Sequence, residues 1–280
     1  MKETKAEHLP INLLQPFEDH PFKVTDDEEM DQLVWSVLTQ GLLTPLVVRP
    51  LPTGKYEVIS GHRRLHACKK AGIDTVPALV TNMDRDAAAI ALVDSNLHRE
   101  HILPSEKAFA YKLKMDALSH QGTSCQVGTK SRSDESIGEI TGESARQVQR
   151  YIRLTNLIPE ILQMVDDGRI ALTPAVELSY LNKWEQKDLL ETMESEDCTP
   201  SLSQAMTLKA ANQARELNMD RIFDIMTQPK PNQQERIRFD VSDIRKFFPQ
   251  SYTTAKIQKT IYQLLENYQR TWKRSDRNDR

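Results

Sequence analysis

Apolar and polar residues in the first hundred positions alternate between a helical period and a strand period. Thr25-Asp26-Asp27-Glu28 has the form of a capping box, and Met30, Leu33, Val34, Val37 and Leu38 then recur at helical spacing until Gly41 ends the run. This predicts an amphipathic helix. Leu46-Val47-Val48-Arg49 and Tyr56-Glu57-Val58-Ile59 are short β-rich runs joined by Pro50-Leu51-Pro52-Thr53-Gly54-Lys55, which predicts a hairpin with turn chemistry between its strands. Gly61 breaks the second strand. Residues 62–71 are again helical, with Leu65 and Cys68 on one side and Gly72 as the stop, and residues 75–80 return to strand. A small mixed α/β unit is expected here.

Beyond it the pattern is mostly helical. The Ala-rich stretch from Asp84 to Asn96 predicts one helix, and residues 104–120 predict another with Ala108, Tyr111, Met115 and Leu118 along one face. Residues 121–132 lack periodicity and read as an exposed loop whose Lys130 and Arg132 could meet a phosphate backbone. A short helix with Ile137 and Ile140 inward, a tight turn at Thr141-Gly142-Glu143, and a second helix from Ser144 to Leu154 with Val148, Tyr151 and Ile152 inward form a helix-turn-helix pattern. Further helices follow Pro159, Thr173-Pro174 and Ser201, and Pro229-Lys230-Pro231-Asn232-Gln233-Gln234 is the clearest linker. In the C-terminal part Ile257, Ile261, Leu264 and Tyr268 form a helical stripe, which fits an ordinary core face or a self-association helix. Three parts are expected: residues 1–100, 101–228 and 229–280.

Composition narrows the classes. At 280 residues, with 39% hydrophobic, 28% charged and only 6% aromatic positions, the chain suits a modular, helix-rich protein. A net charge of -3 excludes a uniformly basic nucleic-acid coat, so DNA contact has to come from local clusters. Cys68, Cys125 and Cys198 are far apart and lack metal-ligand spacing, which points to a reducing cytoplasm and away from a disulfide framework. No run approaches the roughly 20 apolar residues of a membrane span, and the polar Met1-Lys2-Glu3-Thr4-Lys5 start lacks the apolar stretch of a secretory signal.

Three segments carry chemistry. Where a strand ends in Gly61 and a helix begins, the first N–H groups lack partners, and Arg63 and Arg64 add guanidinium forks suited to phosphate oxygens. Gly61, Arg63 and Arg64 also fit an ordinary helix start with solvated arginines. Asn96, Arg99 and Glu100 are spaced so that Asn96 and Arg99 share one helical side, and an amide and a guanidinium could reach one ligand; a helix C-terminus with Arg99 offsetting the dipole and Glu100 solvated fits equally. In the third segment Arg146, Gln149 and Arg150 are the candidates for base edges, and Ser144 and Arg153 for phosphates. Gln147 stands where a Ser144-x-x-Gln147 capping box would use it, and a generic helical hairpin shares the whole pattern. His62, His66, His98 and His101 include an i, i+4 pair, but no third ligand accompanies it and a transition-metal site is not assigned.

In order and spacing these segments resemble the ParB/RepB family of DNA partition proteins, over roughly residues 9–181. Ile59-Ser60-Gly61-His62-Arg63-Arg64-Leu65 is similar to the family's first box, Gly-Glu-Arg-Arg, and Asn96-Leu97-His98-Arg99-Glu100 to its second, Glu-Asn-x-x-Arg-Glu. Thr44-Pro45-Leu46-Val47-Val48-Arg49 is similar to the family strand beside the base and ribose. The resemblance implies an α+β ParB/sulfiredoxin-like domain, then an all-α helix-turn-helix domain, then a small, mostly helical C-terminal segment. It implies CTP with Mg²⁺ held by Thr44, Gly61, His62, Arg63, Arg64, Asn96, Arg99 and Glu100, with Asp94 or Glu100 as metal ligand. It also implies double-stranded DNA, a homodimer and a ParA-type ATPase as partners, and a cytoplasmic protein associated with nucleoid or plasmid.

Two departures bear on chemistry. His62 and Ser95 stand where the family has glutamates, so both replacements remove carboxylates that hydrolysis and Mg²⁺ would use. Nucleotide binding survives them better than hydrolysis does. Two other readings stay open: a sequence-specific transcription regulator that uses no nucleotide, and a ParB-like nuclease.

Overall fold

The computed structural model describes residues 5–99, 101–122, 137, 142–228, 244–249 and 251–278. The chain divides into two compact units, residues 1–228 and 229–280. In the first unit β1 (Lys5–Pro10), β2 (Leu14–Pro16), β3 (Leu46–Pro50), β4 (Tyr56–Ser60) and β5 (Thr75–Val80) form one sheet in the order β1-β5-β3-β4-β2. The predicted hairpin is the antiparallel pair β3–β4, whose turn is closed by the Leu51 N–H donating to the Lys55 carbonyl at 2.8 Å. After α1 (Glu28–Gln40) comes β3, and after α2 (His62–Lys70) the strand β5 joins β3 in parallel. The edge strands β1 and β2 were not predicted. Each is completed by a partner distant in sequence, β5 and β4 respectively, and each ends in proline, which an edge tolerates.

Alternation along the strands feeds two layers. Leu46, Val48, Val58, Val76 and Ala78 pack with Met30 and Val37 of α1 and with Leu65, Ala67 and Cys68 of α2. Val47 and Ile59 belong to the other cluster, with Ala88, Ala89, Leu92 and Val93 of α3 (Arg85–Asn96) and Ala110 and Ala117 of α4 (Pro104–Gly122). The small side chains of α3 let it lie close. The cap of α1 is Asp27, which accepts the Met30 N–H at 2.8 Å, and not Thr25 as the capping-box pattern indicated. Thr25 instead donates to the Asp27 carboxylate at 2.8 Å and so supports the cap.

From α4 onward the unit is helical: α5 (Ala145–Arg153), α6 (Pro159–Asp166), α7 (Leu172–Leu178), α8 (Lys183–Ser195), α9 (Leu202–Gln213) and α10 (Met219–Thr227). Helix α7 begins at Leu172, so Pro174 sits inside its first turn and does not mark its start. Helices α8 and α10 were not predicted; both open on asparagine caps, Asn182 with a full Glu185 capping box and Asn218 accepting the Arg221 N–H. Leu154, Ile161, Leu178, Leu189 and Leu208 form the centre of the core. Gln186 is 0% exposed, yet its side chain accepts the Ile158 N–H at 2.7 Å and donates to the Asn156 and Leu181 carbonyls at 3.1 and 2.9 Å. A buried amide satisfied on three sides locks the 156–158 turn to α8 at no desolvation loss.

The architecture is thus α+β followed by an all-helical region. In the second unit α11 (Thr254–Asn278) buries Ile257, whereas Leu264 and Tyr268 of the expected stripe are 59% and 70% exposed. In the first unit Leu154, fully buried where α5 ends, holds α5 to the helical core of Ile161, Leu178, Leu189 and Leu208. Leu154→Ala is expected to cost about 2–5 kcal/mol, read as a lower urea midpoint with an unchanged slope.

Candidate nucleotide pocket and nucleic-acid interface

The chain leaves β4 at Ser60 and enters α2 through Gly61, whose φ is 104°. That conformation suits glycine. A Cβ at this position would lie 2.6 Å from Leu46 Cδ2 and 3.0 Å from Arg64 Nη2, so the backbone approaches its neighbours more closely than any side chain allows. Helix α2 has no side-chain cap, and its first N–H groups are left to other partners. The junction has the chemistry of an anion site.

The three arginines expected here do different things. Arg64 Nη1 donates to the Thr44 and Pro45 carbonyls at 2.6 and 3.0 Å, bracing the backbone ahead of β3. Arg63 pairs with the α1 cap, its two terminal nitrogens 3.3 and 3.1 Å from the Asp27 carboxylate oxygens, and with Glu29 at 3.3 Å. The Thr25 hydroxyl, then the Met30 N–H, then Arg63 hold the Asp27 carboxyl down at about 2. Arg99 is exposed, with its guanidinium 5.6 Å from the Phe22 ring centre; partial desolvation lowers its pKa, the Glu106 charge opposes that, and the nearby Arg63 charge lowers it further. Arg63 and Arg99 share one field while Arg64 stays beneath as a brace.

Residues 17–27 cross the start of α2 as an irregular strap. The Phe17 N–H donates to His62 Nε2 at 3.3 Å, the Glu18 N–H to Glu57 at 3.2 Å, and the Lys23 N–H to Glu106 at 2.8 Å. Glu57 is itself held by Arg49 at 2.6 Å. Asp19 takes a φ of 60° to make the bend. Under the strap His62 is buried and stacked on His20, with ring centres 3.7 Å apart. Burial first, and then the His20 and Arg99 charges, push His62 down to about 3; burial likewise lowers His20. His20 Nε2 is buried without a hydrogen-bond partner, an arrangement that costs about 1–3 kcal/mol. His20 was missed in the sequence because nothing local marks it: only the strap brings it to position 62.

In the second box α3 stops at Asn96, so Arg99 lies in the following turn, its N–H donating to the Asn96 carbonyl at 3.2 Å, and the two do not share a helical side. Asn96 is buried, its amide nitrogen donating to the Leu92 carbonyl at 2.7 Å. Asp94 is ion-paired with Lys114, a lysine whose side chain is 2% exposed on the inner face of α4. Lys114 could have been noticed, because it falls on the Ala110–Ala117 face at helical spacing. Ser95 donates to the Leu92 carbonyl at 2.9 Å. Glu100 lies outside the described residues. Among the described residues no group of three His, Cys, Asp or Glu is placed to hold a metal. Of the two expected Mg²⁺ ligands, Asp94 is engaged by Lys114 and Glu100 lies outside the described residues, so no chemistry is routed through a metal ion.

The helix-turn-helix pattern is described from Gly142 onward, together with Ile137; Lys130, Arg132 and the rest of its first helix lie outside the described residues. Gly142 has a φ of 71° in the turn, and Ser144 caps α5 by accepting the Gln147 N–H at 3.2 Å. Val148 and Ile137 pack with Tyr111, and Tyr151 and Ile152 flank them. Arg146 and Gln149 are exposed on the opposite side. Arg150 donates to Gln147 Oε1 at 3.1 Å and Thr173 Oγ1 at 2.6 Å. Gln147 thus serves Arg150 with its side chain. Arg153 lies 3.8 Å from the Tyr180 ring centre and donates to Ser179 Oγ at 3.3 Å, which turns it toward α7.

The architecture is an α+β unit with an uncapped, glycine-led helix start, followed by helices that include an arginine-bearing α5. Residues 1–97 match the ParB N-terminal domain. The chain is 28% identical over 247 residues to the probable chromosome-partitioning protein ParB of Vibrio cholerae, covering 87% of this chain and 79% of that protein. It is 34% identical over 188 residues to the chromosome-partitioning protein Spo0J of Thermus thermophilus, covering 65% of this chain and 64% of that protein. A C-terminally truncated ParB from Caulobacter crescentus, solved in complex with CTP-gamma-S, is 27% identical, covers 63% of this chain and 93% of its own, and superposes with a TM-score of 0.32. Residues 1–97 thus belong to the ParB N-terminal domain family, and the chain as a whole is similar to chromosome-partitioning proteins.

The buried His62 sets a pH dependence. Its folded value of about 3 lies below the ordinary 6.5, so the unfolded chain takes up the proton first and folding stability falls as pH drops from 6.5 toward 3. The expected slope is on the order of 1 kcal/mol per pH unit, measured by urea unfolding across that range, and His62→Gln is expected to flatten it.

Proposed function

We propose that this chain is a partition protein that binds a centromere-like DNA site through α5 and a nucleoside triphosphate, CTP by family resemblance, at the β4–α2 junction. Nucleotide binding closes a homodimer on DNA as a clamp in segregation of a chromosome, plasmid or mobile element, together with a ParA-type ATPase. In this reading residues 1–100 hold the nucleotide, residues 101–228 read DNA, and the protein acts at the nucleoid or plasmid in the cytoplasm. The observation that carries it is the uncapped α2 start behind a left-handed Gly61, with Arg63 and Arg99 sharing its field. Backbone N–H groups and two guanidinium groups suit a run of phosphate oxygens.

Binding exchanges partners: Arg63 leaves the Asp27 and Glu29 carboxylates for phosphate, while Arg64 keeps the Thr44 and Pro45 carbonyls in place beside the base and ribose. Asn96 anchors the turn that presents Arg99. Hydrolysis is not part of the proposal, since His62 is held neutral and hydrogen-bonded within the fold. On the DNA side Arg146 and Gln149 face outward for base edges, Arg150 is pre-oriented by Gln147 and Thr173, and Ser144 and Arg153 border the helix near the phosphates.

Calorimetry of the full chain with CTP and Mg²⁺ is expected to show binding that weakens by at least about tenfold in Arg99→Ala. Absence of any heat from the wild type, with and without cognate DNA, removes the nucleotide half of the proposal. Arg146→Ala is expected to cost about 1–3 kcal/mol at the preferred site and to relax preference at one base pair. Identical wild-type and variant affinities for specific and random duplexes would rule out recognition by α5.

A further inference from the structure

Beneath the 17–27 strap one buried nitrogen lacks a partner. His20 has one ring nitrogen engaged by the Phe22 backbone and the other, Nε2, enclosed with no hydrogen-bond partner. Its neighbour His62 is satisfied, since His62 Nε2 accepts the Phe17 N–H and the ring also bonds the Val58 backbone. The two imidazoles line the same cleft of about 170 Å³, along with Leu65 and Lys69, next to the anion cradle at Gly61. His20 also lies within the field of Arg99, so the orphaned nitrogen, the cation and the helix start belong to one region.

Chemistry restricts what could satisfy it. With its other nitrogen donating to a backbone carbonyl, a neutral His20 offers a lone pair at Nε2 and accepts a hydrogen bond. Burial and the Arg99 charge both keep the ring neutral. A triphosphate at neutral pH has acceptors only, so phosphate oxygens cannot be the partner. A nucleoside can supply the donor, either as a ribose hydroxyl or as the amino group of the base. The strap that carries His20 is irregular and lies between fixed points at Phe17 and Lys23, so the ring can turn toward a ligand without dismantling the sheet.

We propose that His20 is a nucleoside-recognition residue of this site, accepting through Nε2 a hydrogen bond from a hydroxyl or amino donor of the bound nucleotide. The inference rests on the nucleotide reading given above. It separates two tasks within the site: arginines and bare N–H groups take the phosphates, and the strap tests the nucleoside. The His20 assignment also accounts for the enclosed Nε2 beside His62, because a neutral acceptor discriminates only where water cannot replace the ligand's donor.

The experiment is calorimetry of the full chain with CTP, UTP, 2′-deoxyCTP, 3′-deoxyCTP and inorganic tripolyphosphate, on wild type, His20→Ala and His20→Gln, with thermal unfolding to verify each fold. Wild type is expected to prefer CTP over tripolyphosphate. His20→Ala is expected to lose about tenfold in CTP affinity while keeping its tripolyphosphate affinity, and His20→Gln, which retains an acceptor, to recover part of the loss. If the base amino group is the donor, UTP is the ligand that His20→Ala ceases to distinguish; if a ribose hydroxyl is, one of the deoxy analogues takes that place. Unchanged CTP affinity in His20→Ala, or equal losses for CTP and tripolyphosphate, overturns the assignment and leaves phosphate binding intact. Wild type that binds neither CTP nor tripolyphosphate overturns the nucleotide reading itself, and the role of His20 with it.

Discussion

A single missing methyl group organises the first domain. At Gly61 the chain turns from β4 into α2 with a φ of 104°, and the space a Cβ would occupy is already taken by Leu46 and Arg64. Close packing there brings the α2 start up against β3, lets Arg64 reach the Thr44 and Pro45 carbonyls, and leaves the first helical N–H groups open. The same contact fixes where His62 points, and through His62 where the 17–27 strap lies. Sheet, brace and cradle therefore follow from one backbone conformation that glycine alone adopts without strain.

Arginines of identical chemistry take different roles because their surroundings differ. Arg64 is spent on backbone carbonyls, Arg63 is held by acceptors that a ligand could displace, and Arg99 rests on the Phe22 ring. In the helical region Arg150 and Arg153 flank exposed Arg146 with side chains bound to Thr173 and to Ser179, so α7 helps to orient α5. Guanidinium groups fixed at one end lose less freedom when the other end meets a ligand. A helix positioned by a neighbour in this way has fewer alternative placements.

Buried polar groups join the sheet domain to the helices. Asp166, its side chain 2% exposed, accepts from the Ser105 N–H and hydroxyl at 2.9 and 2.6 Å and pairs with Lys23 from the strap at 3.1 Å. Lys114 with Asp94 connects α4 to α3, and Gln186 ties α8 to the turn after α5. Each group is satisfied by partners from a different element, which favours one arrangement over near alternatives that leave a charge or amide unpaired. The strap is thereby attached both to the cradle and to the helical region.

Local pattern alone determined much of this protein. The β3–β4 hairpin, the helices α1 to α4, the apolar face of α5 and the glycine-led start of α2 with its two arginines follow from periodicity, turn residues and spacing, which act between near neighbours. Tertiary structure decided the rest. Edge strands β1 and β2 exist only through partners far along the chain, and α1 is capped by Asp27 because its carboxylate, not the Thr25 hydroxyl, reaches the Met30 N–H. Asp94 became the partner of a buried lysine, Arg64 a brace, and His20 a pocket residue for the same reason: hydrogen bonds and desolvation depend on which groups meet in space, and residues 20 and 62 meet only when the strap has folded over α2.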